Sequence, residues 1–144
     1  MKTGRLFVLM LAIAAQGCAS HYVAYEGPAR PKSEIAVVRL DPSSDRLKFG
    51  SVDDVALPKS VHEVRVLPGI HLIGLRGFSE QGAPLGITVI PPQVESLSVD
   101  ARAGHFYVVK ATGTNIGQIR FTPWVEDRAT GQVVAGKKSY GARY

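Results

Sequence analysis

At 144 residues the chain is long enough for one domain with a real core and short for two. It is 45% hydrophobic and 20% charged, as globular proteins are, and its fifteen Gly and nine Pro lie between short apolar runs, which argues against a helical bundle. The net charge of +5 sits at the ends: between Cys18 and Gly136 twelve basic residues meet twelve acidic ones, so the body lacks the broad basic footprint of nucleic-acid binding.

The chain opens with Lys2 and Arg5, followed by the ten-residue apolar run LFVLMLAIAA and the small residues Gly17, Cys18 and Ala19. A charged start, a short apolar stretch and small residues at a cleavage point form a secretory signal, expected here over residues 1–17. The run is too short to cross a bilayer, which takes about 20 apolar residues. Cys18 is the only cysteine, so no internal disulfide is available to it. The stretch AQGC, with Ala15, Gly17 and Cys18, resembles the lipobox of bacterial lipoproteins, although Leu is usual where Ala15 stands. That resemblance implies that Cys18 becomes the acylated N-terminus. Ala19 after it implies the periplasmic face of the outer membrane, with Cys18 joined to membrane lipid.

Residues 18–33 contain Pro28 and Pro31 and no sustained periodicity, which reads as a tether carrying the lipidated N-terminus. Tyr22 and Tyr25 in it belong either at the lipid interface or against the domain. From Glu34 the signals are those of strands: EIAVVRL ending at DPSS, then VHEVRV and IHLIGL around Pro68-Gly69, and PLGITVI before Pro91-Pro92. VESLSVDAR alternates, with Leu97, Val99 and Ala101 on one face and Ser96, Ser98, Asp100 and Arg102 on the other. HFYVVKA follows Gly104, GQIRFTPWVED alternates through Ile119, Phe121 and Val125, and EDRATG turns into QVVAG. About seven or eight short strands over residues 34–136 predict an all-β fold, a single antiparallel Ig-like β-sandwich. VRVLPGIHLIGL (64–75) also echoes VDARAGHFYVVK (99–110), either as two related strand–turn–strand units or as a coincidence of Gly turns.

At LPGIHLIGL the chain resembles the PEGA-like and related Ig-like modules of bacterial envelope proteins, in which L-P-G-x-H or L-P-G-x-Y separates two strands. FGSVDDVAL looks like their preceding strand and turn, with Asp54 where Gly is common. AGHFY (103–107) and DRATG (127–131) match their later strand and hairpin in form. The resemblance spans roughly residues 34–136, implies a non-catalytic β module and carries over no functional site.

Chemistry is sparse. GQVVAGKKS (131–139) approaches a P-loop, but Lys138 stands at the Ser/Thr position and too little chain follows for a helix. His62, His71 and His105 lack metal-motif spacing, and His71 and His105 sit beside Gly turns where they would cap backbone groups. Asp53-Asp54 and Glu126-Asp127 are adjacent, which in a strand sends them to opposite faces, so both pairs read as solvated turns. No nucleophile or zinc motif is present, and no enzyme, cofactor or metal is expected. Trp124 falls on the polar face of its strand with Arg120 and Thr122, either open for sugar stacking or buried under a loop. The tail 137–144 holds Lys137, Lys138, Tyr140 and Arg143, either a frayed terminus whose charges aid solubility or a contact for an envelope protein, an anionic envelope polymer or headgroups. The resulting expectation is a non-catalytic, membrane-tethered structural or protein-docking module. A peptidoglycan- or polysaccharide-binding module is the alternative, marked by an exposed platform of Trp124, Tyr107 or Phe121.

Overall fold

The computed structural model describes residues 20–44, 47–77, 82–83, 86–87, 94–113 and 121–138. Cys18, the signal segment, Tyr140 and Arg143 lie outside the described residues, as do Ile119, Arg120 and most of PLGITVI. The described residues contain strands and no helix: β1 (His21–Val23), β2 (Ala36–Leu40), β3 (Leu47–Val52), β4 (Val55–Ala56), β5 (Glu63–Val66), β6 (Gly69–Gly77), β7 (Gly82–Ala83), β8 (Gly86–Ile87), β9 (Val94–Ala101), β10 (Phe106–Gly113), β11 (Phe121–Asp127) and β12 (Val133–Gly136). Ten of these build two sheets, in the orders β1-β5-β2-β10-β11-β12 and β4-β3-β6-β9, while β7 and β8 pair with each other. The count exceeds the expected seven or eight because β1 and β4 are three and two residues long, too short to show a period of two.

Period-two alternation builds the core between the sheets. Val38, Leu40, Val64, Val66, Val109 and Val125 point inward from the six-stranded sheet, and Phe49, Val52, Ile73, Leu75 and Val99 meet them from the four-stranded one. The strand VESLSVDA behaves as its sequence suggests, with Val99 and Ala101 buried and Ser96, Ser98 and Asp100 exposed.

Two expectations are corrected. The sheets are not wholly antiparallel: β1 runs parallel to β5, and β2 runs parallel to β10. The chain runs through the other sheet between β2 and β5 and again between β5 and β10, so no hairpin dictates how β2 and β10 align. Residues 21–23, expected in the tether, instead form the edge strand β1. The Ser20 carbonyl accepts from the N–H groups of His62 and Glu63 at 2.8 and 3.1 Å, and Tyr22 packs on the core.

The echoed segments are both corners. The chain passes from the six-stranded sheet to the other at Leu67–Pro68, and back again at 102–105. Gly69 and Gly104 take φ of 136° and 78°, which side chains avoid, and Gly69 lies opposite Ala101 across the β6–β9 ladder. Strand directions place both corners, the Asp53-Asp54 turn and the Arg128–Gly131 turn at one end, the far end. Ser20, the β2–β3 connection and Lys137–Lys138 lie at the other, the near end.

Candidate functional site

Alternation that sends Val38, Val64, Val109 and Val125 inward sends Arg39, Glu63, Arg65, Phe106, Val108, Lys110 and Glu126 outward on neighbouring strands. Glu63 lies opposite Arg39, Arg39 opposite Val108 and Val108 opposite Glu126, a row across four strands. Glu63 accepts from Arg39 Nε at 3.1 Å, from Arg39 Nη2, and from Arg65 Nε at 3.1 Å. Glu126 accepts from Lys110 Nζ at 2.7 Å and the Trp124 indole N–H at 2.8 Å, with Lys138 Nζ at 3.5 Å. Above Phe106 lie two guanidinium groups, Arg39 at 5.3 Å and Arg128 at 5.4 Å from the ring centre.

Each carboxylate is covered by its cations while the cations themselves stay half open. The Glu63 and Glu126 side chains are 10% and 12% exposed, against 49% for Arg39 and 42% for Lys138. Burial pushes the Glu63 carboxyl up, but hydrogen bonds from Arg39 and Arg65 outweigh it and hold the group below its ordinary value. Glu126 is also held down, first by the Lys110 hydrogen bond and then by the Trp124 N–H, against its burial. Arg39, Arg65, Lys110, Arg128 and Lys138 thus set five cations against two carboxylates, leaving this face with three positive charges in excess. Net neutrality of the body hid this, because the five come from separate stretches that only the sheet order brings together.

The sequence-based candidates fare unequally. Trp124 is 6% exposed, and Tyr107 and Phe121 are buried too, so none of the three offers an open stacking face. Of the tail residues, Lys137 is exposed, and Lys138 joins the Glu126 cluster. Glu126 and Asp127 are not in a solvated turn: both lie in β11 and are buried. Asp127 binds His105 Nδ1 at 2.6 Å and accepts from the Ala129 N–H at 2.9 Å. His71 does brace its turn, with Nδ1 2.7 Å from Asp53 and Nε2 2.8 Å from the Leu67 carbonyl. His62 lies at the opposite end, so the three imidazoles do not converge, and among the described residues no group of three metal-ligating side chains forms.

A cleft of about 560 Å³ opens at the near end beside this face, lined by Ser20, Arg39, Asp41, Lys48, His62 and Glu63 among others. Its carboxylates are engaged: Glu63 by two arginines and Asp41 by the Ser43 N–H and hydroxyl at 2.9 and 2.8 Å. Asp41 is held below its ordinary value, first by the Ser43 N–H, so neither carboxyl is a proton donor near neutrality. Among the described residues no hydrogen bond joins His62 to a hydroxyl or a carboxylate, and the Ser43 hydroxyl that donates to Asp41 does so within the turn after β2.

Comparison with protein-family models, with curated proteins and with solved structures finds no match to this chain.

Proposed function

We propose that the chain is a non-catalytic cell-envelope lipoprotein. It is exported by residues 1–17, anchored through acylated Cys18 at the periplasmic face of the outer membrane, and docks an acidic protein surface on the outer face of its six-stranded sheet. The observation that carries the docking reading is the gathering of five cations on one face, positioned by two buried carboxylates and stacked on Phe106. Half-exposed arginines held in place lose little freedom when a carboxylate arrives, which favours a carboxylate-bearing partner. The glycan alternative loses its support, since the three aromatics that would build a stacking platform are buried. As a finer statement we read the two packed sheets as Ig-like. The buried Tyr107 supports this: its hydroxyl accepts from the Arg102 N–H at 3.0 Å, a tie-back of the kind found at tyrosine corners.

Two measurements test the reading. Cys18→Ser is expected to move the protein from the membrane fraction to the soluble periplasm, and a Ser variant that still sediments in high salt would rule out the anchor. A photo-crosslinker at Val108, in the centre of the face, is expected to trap a protein partner, and Arg65→Glu with Arg128→Glu is expected to abolish that product. Crosslinks that survive the reversal would remove the docking reading.

A further inference from the structure

The fold fixes the chain almost as soon as it leaves the anchor. The Ser20 carbonyl is bonded to the start of β5, and His21, Tyr22 and Val23 lie in register with Glu63, Val64 and Arg65. Only Ala19 stands between Cys18 and Ser20, and fully extended chain spans at most about 3.3–3.6 Å per residue, so these two steps keep the anchor within roughly 7 Å of the folded near end. A domain on so short a lead cannot tumble freely above a bilayer. The near end also carries the positive charge: Arg39, Lys48, Arg76 and Lys110 lie toward it, and β12 ends there, delivering Lys137 and Lys138. The far end carries the carboxylates Asp53, Asp54, Asp100 and Asp127, which offset Arg102 and Arg128 there.

The near-end cleft suits an anion. Its carboxylates are already satisfied internally, whereas among the described residues Lys48 has no hydrogen-bond or ion-pair partner. Lys48, Arg39, Ser20 and Ser44 line one space of about 560 Å³. We propose that the near end is the membrane-facing end of the molecule, with this cleft taking the phosphate of an anionic phospholipid headgroup and Lys137 lying on the same surface. The two corners then point away from the bilayer. The proposal rests on acylation at Cys18 and adds to it a fixed orientation.

Full-length acylated protein, floated on phosphatidylcholine vesicles with or without phosphatidylglycerol, tests this. With Cys18 acylated, an introduced cysteine is the unique free thiol for a fluorophore, placed at Ser60 (near end, outside the cleft) or Arg102 (far end). Quenching by headgroup-labelled lipid is expected to be strong at Ser60 and weak at Arg102, more so with phosphatidylglycerol and less so at high salt. Soluble glycerophosphoglycerol should not reproduce the effect. Lys48→Gln with Lys137→Gln, folding checked by Trp124 fluorescence, is expected to lower the oriented population by roughly fivefold for each lysine removed. Equal quenching at the two positions would overturn the proposal, and so would a contrast indifferent to phosphatidylglycerol and to the lysine substitutions. A protein that fails to float, or whose Cys18 peptide carries no acyl mass, would remove the acylation reading and the orientation with it. Flotation with equal quenching would remove the orientation alone.

Discussion

Single side chains carry unusual backbone and charge arrangements in this fold. Asp53 and Asp54 both have positive φ, 48° and 67°, as the two central residues of a tight β3–β4 turn require. Asp53 has compensation: its carboxylate accepts from the Leu72 N–H at 2.8 Å and contacts His71. Asp54 is exposed and makes no such contact, so it bears the left-handed conformation uncompensated. Asp54→Gly is therefore expected to stabilise the domain by about 0.5–1 kcal/mol, read as a higher thermal midpoint, and an unchanged or lower midpoint would contradict this account. Glu126 shows the opposite dependence. Its removal leaves the Trp124 indole N–H buried without an acceptor, so Glu126→Ala is expected to cost about 1–3 kcal/mol in denaturant unfolding, with Glu126→Gln costing less.

Among the elements, β6 and β11 meet where Phe121 lies over Gly77: a Cβ built on Gly77 would stand 2.5 Å from the Phe121 ring. Gly77→Ala is expected to cost about 1–3 kcal/mol, and Phe121→Leu in the same chain should recover part of that loss if the clash is the cause. What the sequence revealed of these elements follows their range. The alternation of VESLSVDA, the Gly turns at 69 and 104 and the strand QVVAG were legible because each is set by residues within a few positions of one another. It was not legible that the Pro68-Gly69 turn is a corner between sheets rather than a hairpin, since that depends on which distant strand receives β6. β1 escaped notice because three residues cannot display a period. The basic face escaped because Arg39, Arg65, Lys110 and Arg128 become neighbours only through the order β5-β2-β10-β11. Glu126 was misread because DRATG made its neighbourhood look like a turn, whereas the turn begins only after Asp127.

For the molecule as a whole, Asp53, Glu63, Glu126 and Asp127 all sit below their ordinary carboxyl values of 3.8 and 4.5. For Asp127, burial acts upward and is outweighed by His105 and by the Ala129 and Thr130 N–H groups. Because these values are depressed by folding, the unfolded chain binds more protons in acid. Their stabilisation is present above about pH 4.5 and is lost as pH falls through the folded values. The thermal midpoint is expected to hold from neutrality to about pH 5 and to drop below about pH 4, with a smaller drop in Glu126→Gln. A midpoint that rises on acidification would reverse the sign and refute the assignment. The parallel pairing of Val37 with Phe106 at the centre of the larger sheet has a consequence in time. That ladder joins segments nearly 70 residues apart, and separations of this size slow folding into the millisecond-to-second range. On a ribosome the central sheet cannot close until β10 has emerged. A chain with this topology therefore lacks its central ladder for most of its synthesis.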